Sequence, residues 1–418
     1  MMAECVSCCP VPEVFVTMMR VLSACLAIVL VQGFPASAEE PKPPRSLEEL
    51  TDILQKKGVL SEGERKSVLD ALSRETPSMF TGLKGFSLKV NGLGQFRYTF
   101  ADSGAGSANV SSFKVATARV KFSGDMPLKF KYALQLAFER ANGATTQQNS
   151  ALYDLLLTFA PLQEFNVTAG QFQIPAGAEA HTPTDAMDLA NRYNAQDRIL
   201  NPGTNHDVGV MVSGRALDKR LYYAAGMFNG NGANYVANDD GNHLYSARVE
   251  GVPLRWNVGG WDSELSVGVD GMWKRTNNDP SSWRQTDLAA TTFNEPFDRT
   301  VWGANAAIKA GPAALKGEYI QGKLKGRLNN DPVKNAEGWY LQGGVKVLKG
   351  ALEPLVRYQT YDPDDSVVNN KDIEWTTLGL NWFIKGQNLR LLANYTFKTE
   401  KASCYDNDEF VTQLQLSF

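Results

Sequence analysis

From residue 85 to its end, the chain repeats short segments in which apolar and polar residues alternate with period two. That period belongs to extended strands, whose successive side chains point to opposite faces. In 128–140, Phe130, Tyr132, Leu134, Leu136 and Phe138 point one way, and Lys129, Lys131, Ala133, Gln135 and Glu139 the other. In 262–275, Leu265, Val267, Val269 and Trp273 oppose Ser266, Asp270 and Lys274. In 387–400, Leu389, Leu391, Ala393, Tyr395 and Phe397 oppose Arg390, Asn394, Thr396 and Lys398. The chain ends inside such a pattern, with Phe410, Thr412, Leu414, Leu416 and Phe418 on one face. The full set is 85–101, 111–124, 128–140, 151–160, 164–174, 206–215, 219–229, 240–250, 262–275, 299–310, 313–325, 336–348, 351–361, 371–384, 387–400 and 408–418. Most are about as long as a tilted strand needs to cross a bilayer, roughly 9–11 residues.

The connections separate the possible sheets. Tight ones (SGDMP, APLQE, GRALD, KAGPA, LKGAL, IKGQN) and one of medium length at 251–261 alternate with long polar ones at 103–110, 141–150, 175–205, 230–239, 276–298, 326–335, 362–370 and 401–407. Short turns on one side and long loops on the other are the signature of a transmembrane β-barrel. The predicted fold is therefore all-β, a transmembrane antiparallel barrel of about sixteen strands over 85–418, with a short helical segment before it. With an even strand count, the strand that ends at Phe418 is the closing one and finishes on the short-turn side. A soluble sandwich also alternates, but it turns its apolar face onto a packed core. A barrel in lipid turns that face outward. Tyr98, Phe100, Trp273, Trp302, Trp339, Trp375 and Trp382 lie near strand ends and are candidates for interfacial girdles.

The N-terminal region supports export. MMRVLSACLAIVLVQGFPASAEE has one basic residue, Arg20, an apolar run to Val31, and the small residues Ala36, Ser37 and Ala38. This predicts a signal peptide over 1–38 with cleavage before Glu39. Residues 1–17 lack a basic start and carry Glu4 and Glu13, so they are expected to be a leader assigned in error, with translation starting at Met18 or Met19. Cys5, Cys8, Cys9 and Cys25 leave with this region, and Cys404 then stands alone, so no internal disulfide is expected. Residues 39–84 read as a periplasmic Pro-rich spacer and a helical hairpin, with capping boxes at Ser46 and Glu49 and at Ser61 and Glu64.

A barrel of this size holds water, and its selectivity comes from charges facing the lumen and from any loop folded inward. The strand phasing puts Arg119, Lys121, Lys129, Lys131, Arg248, Lys274, Lys309, Lys316, Lys346, Arg357, Arg390 and Lys398 inside, with Glu139, Glu250, Asp270 and Glu318. That lining is more basic than the chain as a whole, whose formal net charge is -3 and which offers no case for nucleic acid. The 175–205 loop is the candidate constriction, with Asp185, Asp188, Arg192, Asp197 and Arg198, and with Leu189, Tyr193 and Ile199 placed to pack on the wall.

FNVTAGQFQIPAGAEA is similar to the strand and G-x-F-x-x-P entry to the inward loop in the phosphate-selective porin O and P family. TARVKFSGDMPLKFKYALQLAFE resembles that family's second and third strands, including a strand-two arginine at Arg119. The resemblance implies a sixteen-stranded barrel in the bacterial outer membrane, a homotrimer among outer-membrane lipids and lipopolysaccharide, and passive channels for small anions including phosphate. Two other readings stand beside it. One is a general or cation-leaning porin for another small solute, given the three loop aspartates. The other is an exported all-β binding protein. No nucleophile elbow, phosphate-binding glycine loop or metal-ligand spacing is present, so no enzyme, cofactor or metal is expected.

Overall fold

The computed structural model describes residues 51, 52, 55, 61, 85–102, 109–140, 151–200, 205–234, 237, 238, 240–276, 296–327, 333–368, 370–402 and 407–418. The signal peptide, the alternative start and the Pro-rich spacer lie outside the described residues. So does most of the helical hairpin, of which Thr51, Asp52 and Gln55 are helical. Met1–Phe86 and Ser87–Phe418 are separate compact units, and the second is the barrel.

Sixteen strands close on themselves, every neighbouring pair antiparallel, with β1 hydrogen-bonded to β16. They are β1 (Lys89–Ala101), β2 (Val110–Met126), β3 (Phe130–Ala137), β4 (Leu152–Phe159), β5 (Asn166–Gln173), β6 (His206–Ala216), β7 (Leu221–Phe228), β8 (Leu244–Val258), β9 (Trp261–Thr276), β10 (Phe297–Ala310), β11 (Ala313–Gly326), β12 (Val333–Val345), β13 (Leu352–Asp362), β14 (Ile373–Gln387), β15 (Leu389–Glu400) and β16 (Glu409–Ser417). Closure leaves no edge, so every strand finds a neighbour's hydrogen bonds inside the bilayer.

The alternation sorts as a lipid-facing barrel demands. Val267, Val269, Trp273, Leu414 and Leu416 are exposed on the outside, while Gln413, Gln415, Arg390 and Asn394 are buried on the inside. Aromatic pairs bridge neighbouring strands toward the long-loop end: Tyr98 with Phe113, Tyr245 with Trp273, Trp302 with Tyr319, and Trp339 with Tyr358. Trp302 Nε1 donates to Gln321 (2.9 Å) and Tyr319 Oη to Glu337 (2.7 Å), so apolar bodies and polar tips sit as an interfacial girdle requires. Trp375 is not in that girdle. It shares the inward face with Thr377 and lines the lumen, with Lys398 Nζ 4.8 Å over its ring.

Two boundaries differ from the sequence reading. The medium connection at 251–261 is mostly strand: β8 continues to Val258 and turns on Gly259 and Gly260, with φ of 57° and 82°. Pro253 cannot donate to a ladder and looks like a break in the sequence. The sheet instead absorbs it as a register shift between Gly251 and Leu254. Lys129 is not on the wall. It lies in the turn Pro127–Lys129 with φ of 64°, where the chain has left strand geometry, and its Nζ donates to Pro161 O at 3.0 Å.

The closing strand is locked at its last residue. Gly92 N–H donates to Phe418 O (2.9 Å), and Phe418 N–H donates to Gly92 O (3.1 Å). The Phe418 ring lies over Gly92, where an added Cβ would stand 2.3 Å from it. Gly92→Leu is expected to lift the ring at a cost of about 1–3 kcal/mol of overpacking. On a gel, the fast-running unboiled band should then convert to the slow form at a lower temperature than in the wild type.

Candidate functional site: the pore and its inward loop

The loop after β5 runs inside the barrel. Its carbonyls and amides meet inward-facing side chains around most of the wall: Arg390 donates to Met187 O (2.5 Å), Gln415 to Asp185 O (2.9 Å), Asn381 to Asp188 O (3.0 Å) and Arg299 to Ile199 O (3.1 Å). Ala190 N–H donates to Asn394 (2.8 Å) and Asn194 N–H to Gln359 (2.9 Å). The one helical turn at its start, Ala178–His181, is held by wall carboxylates. Glu318 accepts from Ala178 N–H (2.5 Å) and Glu179 N–H (3.0 Å), and Asp270 accepts from Gly177 N–H (3.0 Å).

Packing supplements these bonds. The lumen wall carries glycines whose missing side chains leave sockets for the loop. A Cβ at Gly322 would meet Ile199, one at Gly338 would meet Ala195, and one at Gly379 would meet Leu189. Ile174, Tyr193, Ile199 and Leu200 join Phe228, Met272, Ile320 and Tyr340 in one buried apolar cluster. The inside of the barrel is therefore not uniformly polar. Where the loop covers the wall, apolar inward side chains share the dry face with the polar ones that anchor the loop.

The loop divides the remaining space into two cavities. The outer one, on the long-loop side, is about 470 Å³, and the inner one about 520 Å³. Six residues line both and mark the throat between them: Arg119, Tyr153, Gln173, Ala180, Thr184 and Arg192. Among the described residues, no carboxylate lines both cavities. Arg119, from the middle of β2, lies 4.2 Å over the Tyr153 ring, pairs with Glu139 (2.6 Å) and donates to Thr184 (3.2 Å). Arg192, from the loop, is held by Glu179 O and by Thr182 O (2.9 Å). Among the described residues, the outer cavity is lined by four basic and two acidic side chains and the inner one by three and two, so the side-chain lining of each is net positive.

The other candidates divide into lining, anchoring and rim groups. Lys121 and Asp185 line the inner cavity, and Asp197, Arg357 and Lys398 the outer one. Arg357 is also an anchor: fully buried, it pairs with Glu179, which in turn accepts from Tyr193 N–H (2.8 Å). Arg248 is buried against Asp270 (2.7 Å) and Glu250 (2.5 Å), and Lys274 against Gly230 O (3.0 Å). Arg390 is wholly buried behind the loop. Lys309, 3.6 Å from Glu264, is an exposed rim group. Lys346, 5.5 Å from the Phe383 ring, follows the last residue of β12 at the same end. Lys131 shares the short-turn end and is exposed. Arg198 is exposed on the turn Gln196–Leu200 and lines neither cavity. Arg97 and Glu179 were missed by the sequence reading. Arg97, opposite Phe96 and Tyr98 in phase, donates to Asn191 (2.7 Å) and Ala190 O (2.6 Å), and strand parity alone could have found it. Glu179 carries no such signal, because its partner is 178 residues away.

Asp188 faces the wall, paired with Lys316 (2.6 Å) and accepting from Gln342 (2.7 Å). Burial opposes its charge, but the Lys316 ammonium and the two hydrogen bonds hold its carboxyl below the usual range. A depressed carboxyl pKa contributes stability above the unfolded value of about 3.9, and that contribution is lost as pH falls through the lower folded value. Current noise is expected to stay constant from about pH 8 to about pH 5 and to rise only below about pH 4 as this tether protonates. Asp188→Asn should show the excess noise across the whole range. Equal noise in both proteins at neutral pH would show the tether to be irrelevant.

A closed barrel with an apolar outside, a hydrated charged inside and a loop that narrows it is the architecture of a porin. The sequence model described as "Phosphate-selective porin O and P" matches residues 90–418. The chain belongs to that family of outer-membrane porins, which places it in the bacterial outer membrane. It is 24% identical over 400 residues to Porin O of Pseudomonas aeruginosa, covering 80% of this chain and 89% of that one. Among solved structures it is similar to an anion-selective porin from Comamonas acidovorans (TM-score 0.56, 13% identity, 80% of this chain and 100% of that chain). It is equally similar to a trimer form of OmpT of Vibrio cholerae (TM-score 0.56, 13% identity, the same coverage). The DcaP channel of Acinetobacter baumannii also matches (TM-score 0.52, 13% identity, 81% of this chain and 99% of that chain).

Proposed function

We propose that the protein passes small anions, phosphate among them, by passive diffusion, with no catalytic step, as a homotrimer among outer-membrane lipids and lipopolysaccharide. The observation that carries this is the throat, where Arg119 and Arg192 line both cavities and no described carboxylate does. A permeating anion meets two guanidinium groups where the path is shared, and the Coulomb attraction lowers its barrier. The anion-selective Comamonas porin and the trimeric OmpT supply the analogy for selectivity and assembly. Ion substitution in a planar bilayer tests the selectivity. Replacing chloride by acetate should lower the conductance clearly, and replacing potassium by lithium should change it little. The opposite pattern would reject the proposal.

A further inference from the structure

We infer that the outer cavity binds a hydroxylated organic anion of about monosaccharide size, a sugar phosphate or sugar acid, in preference to bare inorganic phosphate. This rests on the anion-channel reading and names the solute class of the same lumen. A site for bare phosphate needs hydrogen-bond donors and little else, because the ligand's oxygens are acceptors. The outer cavity is built differently. It is lined by seven amide side chains and three threonines as well as its charges. Two of its basic groups are already engaged, Arg357 by Glu179 and Lys398 by Glu409 (3.1 Å).

What remains is rich in acceptors. Gln173 donates its Nε2 to Ala180 O (2.5 Å), which fixes the amide and leaves Oε1 as the free end in the throat. Gln196 donates Nε2 to Asp197 (3.1 Å), and its Oε1 is buried without a partner among the described residues. Asp197 adds carboxylate oxygens to the same lining, whereas those of Glu409 are taken by Lys398 and Asn191. Three such acceptor groups disfavour a compact phosphate dianion but suit the O–H groups of a sugar. Gln359 Oε1 accepts from Asn194 N–H, leaving Nε2 as a donor in the same lining as the Asn194 side chain. Trp375, half-buried, supplies apolar surface for C–H groups, and Arg119 and Arg192 at the throat meet the acidic group. The cavity volume lies in the range of about 300–1,000 Å³ that holds small organic ligands.

The test is interruption of chloride current through the purified full-length protein by glucose 6-phosphate and by inorganic phosphate. Glucose 6-phosphate should block at roughly tenfold lower concentration, a difference of about 1.4 kcal/mol. The Asn194 side chain makes no hydrogen bond among the described residues, so Asn194→Leu leaves the barrel ladders intact. It should remove that advantage while leaving phosphate block and reversal potential unchanged, and Gln196→Met should do the same. Equal block by the two probes, stronger block by phosphate, or an advantage that survives both substitutions would overturn the assignment. Reversal potential on the same channels reads the underlying proposal separately. Cation preference rejects anion transport itself, whereas anion preference without the sugar-phosphate advantage rejects only this site.

Discussion

Arg119→Gln is expected to turn an anion-preferring channel toward cations, the largest change in selectivity that any single substitution here should produce. Two effects add. The first is loss of a guanidinium at the throat, where both cavities share the Arg119 side chain. At ~6 Å and an effective dielectric of ~40, one unit charge is worth about 1.4 kcal/mol to a passing monovalent ion. That corresponds to about tenfold in relative permeation. The second is release of Glu139, whose carboxylate now pairs with Arg119 at 2.6 Å. Without its partner it adds a negative charge at the same level of the pore. Glu139→Gln should act in the opposite sense and increase anion preference. Arg192→Gln should give the first effect without the second, because its bonds are to carbonyls of the loop rather than to a carboxylate. Permeability ratios from the three variants check the ordering, which fails if Arg192→Gln shifts selectivity more than Arg119→Gln.

Glu179→Ala is expected to release the loop and widen the pore without opening the barrel. Glu179 is 1% exposed and holds the Arg357 guanidinium while accepting from the Tyr193 amide. Breaking a buried ion pair from one side costs about 3–5 kcal/mol, because the remaining charge is left uncompensated. The ladders of the sixteen strands do not use Glu179, so the loss falls on the loop. The variant should still run fast unboiled on a gel, yet show higher conductance and frequent flicker between levels. Glu179→Gln keeps an acceptor for the same donors and should lie between the two. Wild-type conductance in Glu179→Ala would mean that the glycine sockets and the Glu318 and Asp270 bonds hold the loop unaided.

The strands were legible in the sequence because lipid and water impose opposite demands on the two faces of each one. Leu414 and Leu416 against Gln413 and Gln415 show this as plainly in letters as in coordinates. Local exceptions hid the rest. Residues 251–261, with Pro253, read as a connection, and only the neighbouring β9 shows that the ladder shifts register and continues. Trp375 is aromatic and near a strand end like the girdle residues, but its parity with Thr377 points inward. Lys129 kept strand phase on paper but falls in a left-handed turn. The inward loop was recognisable from its length and from Leu189, Tyr193 and Ile199, all of which are buried. Its anchoring was not, because Glu179 and Arg357, or Asp188 and Lys316, are brought together only by closure of the barrel.

Anion preference of the lumen is read most directly from the zero-current potential of the purified protein in a planar bilayer under a potassium chloride gradient. A sign set by chloride is expected, driven by the net positive side-chain lining of both cavities and by Arg119 and Arg192 at the throat. A sign set by potassium would contradict it, and would mean that Asp185, Asp197 and Glu409 dominate the path an ion takes.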